Sequence, residues 1–168
     1  MDIMEEYSVE SFNERVKANI KDKIVPLLET ARKSGLFIIH APHGCRIPDE
    51  IRPLENEPVM EFTKTIFEPD PEETQALHGL LQKRGIKTLF YAGYASNRCL
   101  LYRSSGIVKM YELGYEIIII RDCSIAFEMP ETLESEMFHT AAVHTVERLF
   151  GKSTTLKDFQ RAFGCEDI

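Results

Sequence analysis

The sequence predicts an α/β protein of three layers, with helices on both faces of a mainly parallel sheet. Three apolar runs of strand length alternate with segments of helical periodicity, and this alternation is typical of the class. The runs cover residues 36–40, 88–92 and 116–120. The last contains four consecutive isoleucines, which indicates a strand buried on both faces, as in parallel sheets. A chain of 168 residues fits one domain, residues 1–168.

The N-terminal half begins with a predicted helix over residues 11–34, where apolar side chains recur at helical spacing. Pro26 predicts a kink or a division into two helices, and Gly35 ends the segment. After the strand at 36–40, residues 41–58 contain four prolines and predict a long functional or mobile loop. Residues 59–63 are a candidate short strand.

Further helices are predicted over residues 72–84, 100–113 and 132–150, each in a segment that a glycine follows. Pro71 suits the first position of the helix at 72–84. Residues 104–106 place two serines and a glycine together, and we expect this small-residue face to pack closely on a neighbouring element. Thr154 or Thr155 can cap a final short helix that reaches Phe163.

Composition argues against nucleic acid and membranes as partners. The net charge is −7, with no basic stripe, and no apolar run approaches the length that spans a bilayer. The N-terminus lacks the basic and apolar regions of a signal peptide, so we expect a cytoplasmic protein.

The cysteines and histidines predict neither a structural zinc site nor another metal site. The four cysteines, at positions 45, 99, 123 and 165, are widely spaced and form no C-x-x-C pair, so free thiols are expected. His40 and His43 lie close together, but no third ligand is near them in sequence. We expect His40 to support the site through hydrogen bonds.

Cys99 is the strongest candidate for chemistry. It follows the strand at 88–92 and opens a predicted helix, so it lies at the carboxyl edge of the sheet, where α/β proteins place their sites. A helix N-terminus favours the thiolate, which is the nucleophilic form. The alternative is that Cys99 is a small buried hydrophobic residue.

Lys64 is a second candidate, because it follows a predicted strand end and therefore reaches the same edge. Apolar residues flank it in the run Phe62-Thr63-Lys64-Thr65-Ile66-Phe67. A lysine beside a thiolate activates it, whereas most lysines are solvated surface charges. Asp122, which ends the strand of isoleucines, is expected to be structural.

Several segments together resemble the isochorismatase-like cysteine hydrolase family, which includes relatives of nicotinamidase and N-carbamoylsarcosine amidohydrolase. The resemblance covers nearly the whole chain. It is carried by residues 64–67 (KTIF), 85–89 (GIKTL), 93–100 (GYASNRCL), 114–115 (GY) and 121–122 (RD).

The resemblance implies hydrolysis of a small amide or related C–N bond through a Cys-Asp-Lys triad and an acyl-enzyme. Cys99 would be the nucleophile, Lys64 its electrostatic partner and Asp2 the base. A cis peptide would join Tyr94 to Ala95, and the N–H groups of Ala95 and Cys99 would form the oxyanion hole.

The same resemblance implies a small-molecule substrate, no cofactor and a homo-oligomer. Tyr94, Arg98 and Phe67 are candidate substrate-binding residues. Arg98 either meets an anionic substrate group or points to solvent.

One departure from the family pattern keeps a second function open. The family's aspartate ends a central strand, yet only Met1 precedes Asp2, so the first strand is missing or is a stub over residues 1–4. An incomplete triad would leave a non-catalytic isochorismatase-fold protein that binds a metabolite or a protein partner. A nucleotide-binding role is disfavoured, because no glycine-rich phosphate loop occurs.

Overall fold

A computed structural model describes residues 3–44 and 46–164, with side chains from residue 9 onward. Its regular elements follow the chain in this order: α1 (Ile3–Asn19), a π-helical turn (Ile20–Ile24), α2 (Val25–Lys33), a 3₁₀ turn (Asp49–Ile51), α3 (Pro71–Lys83), β1 (Thr88–Tyr94), α4 (Cys99–Tyr102), α5 (Ile107–Glu112), β2 (Glu116–Ile125), a 3₁₀ turn (Pro130–Thr132), α6 (Met137–Leu149), β3 (Gly151–Thr154) and α7 (Leu156–Phe163). No helix in these ranges is long and apolar enough to cross a membrane.

Within the described residues, the sheet has three parallel strands in the order β1-β2-β3. Its central strand, β2, carries the isoleucine run, and Ile117, Ile119 and Ile120 are almost fully buried. The fold class predicted from these residues is therefore confirmed. The pairing of β1 with β2 shifts register between Tyr91 and Gly93, so the chain bends as β1 reaches its carboxyl end.

Hydrophobic cores cover both faces of the sheet, because successive side chains of a strand point to opposite faces. One core contains Ile117 and Ile119 together with side chains of α3, α5 and α6: Leu77, Leu81, Met110 and Val146. The other contains Ile120 and Cys123 together with side chains of the π-helical turn, α2 and α7: Ile20, Leu27 and Phe159. These two cores account for the three layers.

The helix predicted over residues 11–34 begins earlier, at Ile3, and divides near its proline. The π-helical turn at Ile20–Ile24 ends two residues before Pro26, which lies in the first turn of α2. Proline has no N–H and clashes with the preceding turn, so the α-helical hydrogen-bond pattern cannot pass through it. Residues 3 and 4 are helical, and a strand stub that includes them is therefore wrong.

The two strands predicted over residues 36–40 and 59–63 are not regular strands in the structure. Residues 36–40 and 59–63 meet only at one isolated parallel bridge, between His40 and Val59. Leu36 and Ile38 still pack on one core and Ile39 on the other. The apolar run therefore sets an extended conformation with alternating faces, but a strand needs a ladder of hydrogen-bonded partners, and the described part of the chain gives these residues only the one bridge.

Two predicted helices are shorter than expected. The segment 100–113 is two helices, α4 and α5, separated at residues 103–106. A Cβ on Gly106 would lie 2.7 Å from the Leu101 carbonyl oxygen, so glycine permits a close backbone approach there. The segment 132–150 becomes regular only at Met137, after a 3₁₀ turn.

Candidate active site

Cys99 lies where the sequence predicts it: it follows the carboxyl end of β1 and is the first residue of α4. Its side chain is half-buried. Gly93 has a φ of 118°, a conformation that glycine adopts without strain. The peptide between Tyr94 and Ala95 is cis, as the family resemblance implies. The turn at residues 95–98 thus connects the strand to the cysteine.

The end of β2 holds this turn in place. The Ser96 N–H donates to the Ile125 carbonyl at 2.8 Å. The Asn97 side chain makes two hydrogen bonds to Phe127, one to its carbonyl oxygen and one from its N–H, each 3.1 Å long. Paired bonds of this kind fix both the position and the orientation of the turn.

A buried hydrogen bond between Ser96 and His139 connects the turn to α6. Ser96 Oγ lies 2.8 Å from His139 Nδ1, and His139 Nε2 lies 3.0 Å from the Arg121 carbonyl oxygen. A carbonyl only accepts, so Nε2 carries the proton and the Ser96 hydroxyl donates to Nδ1. Burial lowers the pKa of His139, which keeps the ring neutral. The Glu128 carboxylate accepts a 2.8 Å hydrogen bond from the backbone N–H of His139.

The backbone N–H groups of Ala95 and Cys99 differ from those of the residues next to the cysteine. The N–H groups of Arg98 and Leu100 both donate to the Ala95 carbonyl at 3.1 Å. In contrast, the N–H groups of Ala95 and Cys99 donate to no acceptor within residues 3–44 and 46–164. These are the two groups that the family resemblance assigns to an oxyanion hole. An anion that forms at Cys99 would find them unoccupied.

Lys64 lies in a segment without regular structure, and its side chain is exposed. Its ammonium makes no hydrogen bond or ion pair with the part of the chain that the structure describes. Its carbonyl oxygen, however, accepts a 2.7 Å hydrogen bond from Arg103 Nη1. Arg103 is the residue that follows α4, so the lysine segment and the cysteine helix are brought together.

The other predicted site residues are distributed around this turn. The Arg98 guanidinium lies over the Phe127 ring, 5.1 Å from its centroid. The Tyr94 hydroxyl donates to Asn19 Oδ1 at 2.9 Å. Phe67 is 82% exposed. Asp2 lies outside the described residues. The roles given to these residues stay predictions.

His40 and Asp122 make structural contacts. His40 Nε2 lies 2.8 Å from a Glu57 carboxylate oxygen. Asp122 accepts the Leu156 N–H at the start of α7, at 2.7 Å, and it pairs with Lys23. In the described ranges, no group of three or more His, Cys, Asp and Glu side chains is placed to hold a metal ion.

Sequence reasoning missed the side chains that hold the lysine segment, Glu73 and Arg103. Glu73 accepts from the Thr63 N–H at 2.7 Å and from the Ser104 hydroxyl at 2.7 Å. The small-residue face at residues 104–106 is the one sequence feature that pointed here, because Ser104 is buried against α3. Nothing local in sequence pairs a glutamate at 73 with residues 63 and 104.

One family model matches most of the chain. Residues 1–158 match the family model described as Isochorismatase domain. The ureidoacrylate amidohydrolase RutB of Azorhizobium caulinodans is 32% identical over 84 residues, which make up 50% of this chain and 33% of that protein. The chain thus spans about a third of the length of this curated relative.

Solved structures share the fold. A cysteine hydrolase from Pseudomonas syringae pv. phaseolicola 1448A superposes with a TM-score of 0.71 at 16% identity, over 87% of this chain and 80% of that one. The nicotinamidase PncA from Bacillus subtilis superposes with a TM-score of 0.61 at 20% identity, over 83% and 86% of the two chains. Identities this low show a common architecture alone.

Proposed function

The chain belongs to the isochorismatase family, and on that premise we propose that it is a cysteine hydrolase acting on a small amide or related C–N bond. The observation that carries the proposal is the turn at residues 95–99. It contains a half-buried thiol and two backbone N–H groups, those of Ala95 and Cys99, that donate to no described acceptor. The amidohydrolase and nicotinamidase names of two similar proteins support an amide as substrate.

In the first half of the reaction, Cys99 Sγ attacks the substrate carbonyl carbon. The carbonyl oxygen becomes an oxyanion, which the N–H groups of Ala95 and Cys99 stabilise by several kcal/mol. Asp2, outside the described residues, takes the thiol proton and passes it to the departing nitrogen. The C–N bond breaks, an amine or ammonia leaves, and a thioester remains on Cys99.

In the second half, water attacks the thioester. Asp2 removes a proton from the water, the C–S bond breaks, and the carboxylic acid leaves while the thiol is restored. The overall change consumes one amide and one water and needs no redox partner. Lys64 contributes a positive charge that favours the thiolate as nucleophile and as leaving group.

The experiment is amide hydrolysis with Cys99→Ala against Cys123→Ala as the matched control. Cys123 is buried, and burial raises its pKa to about 12, so it is an unreactive thiol. Release of ammonia from a panel that includes nicotinamide and ureidoacrylate should be lost in Cys99→Ala and kept in Cys123→Ala. A thioester adduct on the Cys99 peptide should appear by mass spectrometry when the reaction is quenched in acid.

Full hydrolytic activity in Cys99→Ala would refute the proposal. Alkylation of Cys99 by iodoacetamide at neutral pH gives an independent test, since an activated thiolate reacts faster than a model thiol. Labelling no faster than the model thiol would instead favour a binding role. Cytoplasmic location and a homo-oligomer are further parts of the proposal, and static light scattering tests the second.

A further inference from the structure

We propose that Arg103 is a positioning residue that holds the Lys64 segment against the helix of Cys99; this inference rests on the proposed function. Its backbone N–H donates to the Cys99 carbonyl at 3.3 Å, and its guanidinium donates to the Lys64 carbonyl at 2.7 Å. A single residue therefore connects the main chains of the nucleophile and of its electrostatic partner.

The Lys64 segment depends on such external contacts. Residues 61–65 form no helix or strand, so their backbone groups must find other partners. The guanidinium of Arg103 also contacts the ring of His43, which in turn contacts the Phe62 carbonyl. Arg103 therefore reaches the segment at two points: directly at the Lys64 carbonyl and, through His43, at the Phe62 carbonyl.

Glu73 provides a second attachment to the same place. One of its carboxylate oxygens accepts from the Thr63 N–H and hydroxyl, and the other accepts from the Ser104 hydroxyl. Burial opposes the charge of this carboxylate, but hydrogen bonds from Thr63, Ser104 and the Lys64 N–H lower its pKa on balance. The lysine segment is thus attached twice to residues 103 and 104.

The position of the Arg103 side chain leaves one of its donors unsatisfied, which costs free energy. Its Nε–H is buried and has no hydrogen-bond partner among the described residues, which is unusual for a native side chain. Arginine presents its donors in a rigid planar fork, so the bond to the Lys64 carbonyl sets where that segment lies. A shift of about 1 Å between reacting groups can cost about a hundredfold in rate.

The test measures the midpoint pH of Cys99 alkylation by iodoacetamide, resolved from the other cysteines by peptide mass spectrometry. Lys64→Met should raise the midpoint, since in the proposed function the charge of Lys64 favours the Cys99 thiolate. Arg103→Met should reproduce most of that rise, and Arg103→Lys, which keeps a donor, should restore much of it. Arg148→Met is the control, because Arg148 is exposed on α6, a helix that packs on β2 and β3.

The double variant Lys64→Met with Arg103→Met should match Lys64→Met alone, because a residue that acts through Lys64 adds nothing once the ammonium is gone. A purely structural role for Arg103 would lower the melting temperature without moving the midpoint. If Arg103→Met does not fold, Glu73→Gln decides by the same readout, with a smaller rise expected.

The outcomes separate the two proposals. If Lys64→Met raises the midpoint but folded Arg103→Met behaves like the wild-type protein, the positioning role is overturned and the proposed function stands. If Lys64→Met itself has no effect, Lys64 does not act on Cys99, and both the positioning role and the triad are overturned.

Discussion

Glu57 is the buried carboxylate that anchors the long loop at residues 41–58 to α2. Arg32 holds it with two hydrogen bonds, from Nε at 2.7 Å and from Nη2 at 2.9 Å. The Leu54 N–H donates at 3.0 Å, and His40 Nε2 lies at 2.8 Å. The side chain of Glu57 is 4% exposed. We expect Glu57→Gln to destabilise the protein strongly, because a glutamine amide can satisfy fewer of these donors.

The magnitude follows from the titration of this carboxyl group. Hydrogen bonds from Arg32, opposed by burial and assisted by Leu54 and His40, lower the pKa of Glu57 from 4.5 to about 2. A folded-state pKa below the unfolded value contributes stability above the unfolded pKa, and that contribution disappears as the pH falls through the folded pKa. At 1.36 kcal/mol per unit, the contribution at neutral pH is about 3 kcal/mol.

The assay is urea unfolding of the wild-type protein and of Glu57→Gln at pH 7, 5.5, 4.5 and 3.5. The stability difference should be constant down to pH 5.5 and then shrink, by about 1.4 kcal/mol at pH 3.5. Glu55→Gln is the matched control, since Glu55 lies two residues away and is exposed. A difference that stays the same from pH 7 to pH 3.5 would refute the reasoning.

Three further substitutions test two turns and one helix cap. Gly106→Ala should cost about 1–3 kcal/mol in urea unfolding, because its Cβ would lie 2.7 Å from the Leu101 carbonyl oxygen; an unchanged midpoint would contradict this. Thr155→Ala removes the cap of α7 and should cost about 1 kcal/mol in the same assay, with Thr155→Ser restoring most of the loss. Asn97→Ala frees the turn from Phe127 and should lower kcat/KM by about a hundredfold, whereas an unchanged kcat/KM would show that the turn needs no such support.

Features that depend on neighbours in sequence were predictable. Pro71 at the first position of α3 and the strand-to-helix turn at Cys99 both follow from local backbone chemistry. Pro26 was predicted to interrupt the first helix, and it does so through a π-helical turn. Local rules succeed at these positions because the physical cause lies within one helical turn of the residue.

Features that depend on distant partners were not predictable. Strand β3 has no apolar pattern, and its pairing with β2 alone makes it a strand. A Cβ on Gly151 would lie 2.1 Å from the Ile117 carbonyl oxygen, so this glycine, the first residue of β3, permits the close contact between the two strands. The contacts of Arg103 with Lys64 likewise join residues 39 apart in sequence, and no spacing rule connects them.

The π-helical turn sets the rotational phase between α1 and α2. Each residue of an α-helix advances the side chain by about 100°, so a wider turn changes which side of α1 faces the rest of the protein. In the observed phase, Phe12 stacks on Phe127 with ring centroids 3.7 Å apart, and Arg15 reaches the Ala126 carbonyl. Deleting one residue of Ile20–Ile24 would turn both side chains away from residues 126 and 127, which follow β2 and hold the turn before Cys99 through Asn97. The N-terminal helix would then pack differently against the end of β2, although its own sequence was unchanged.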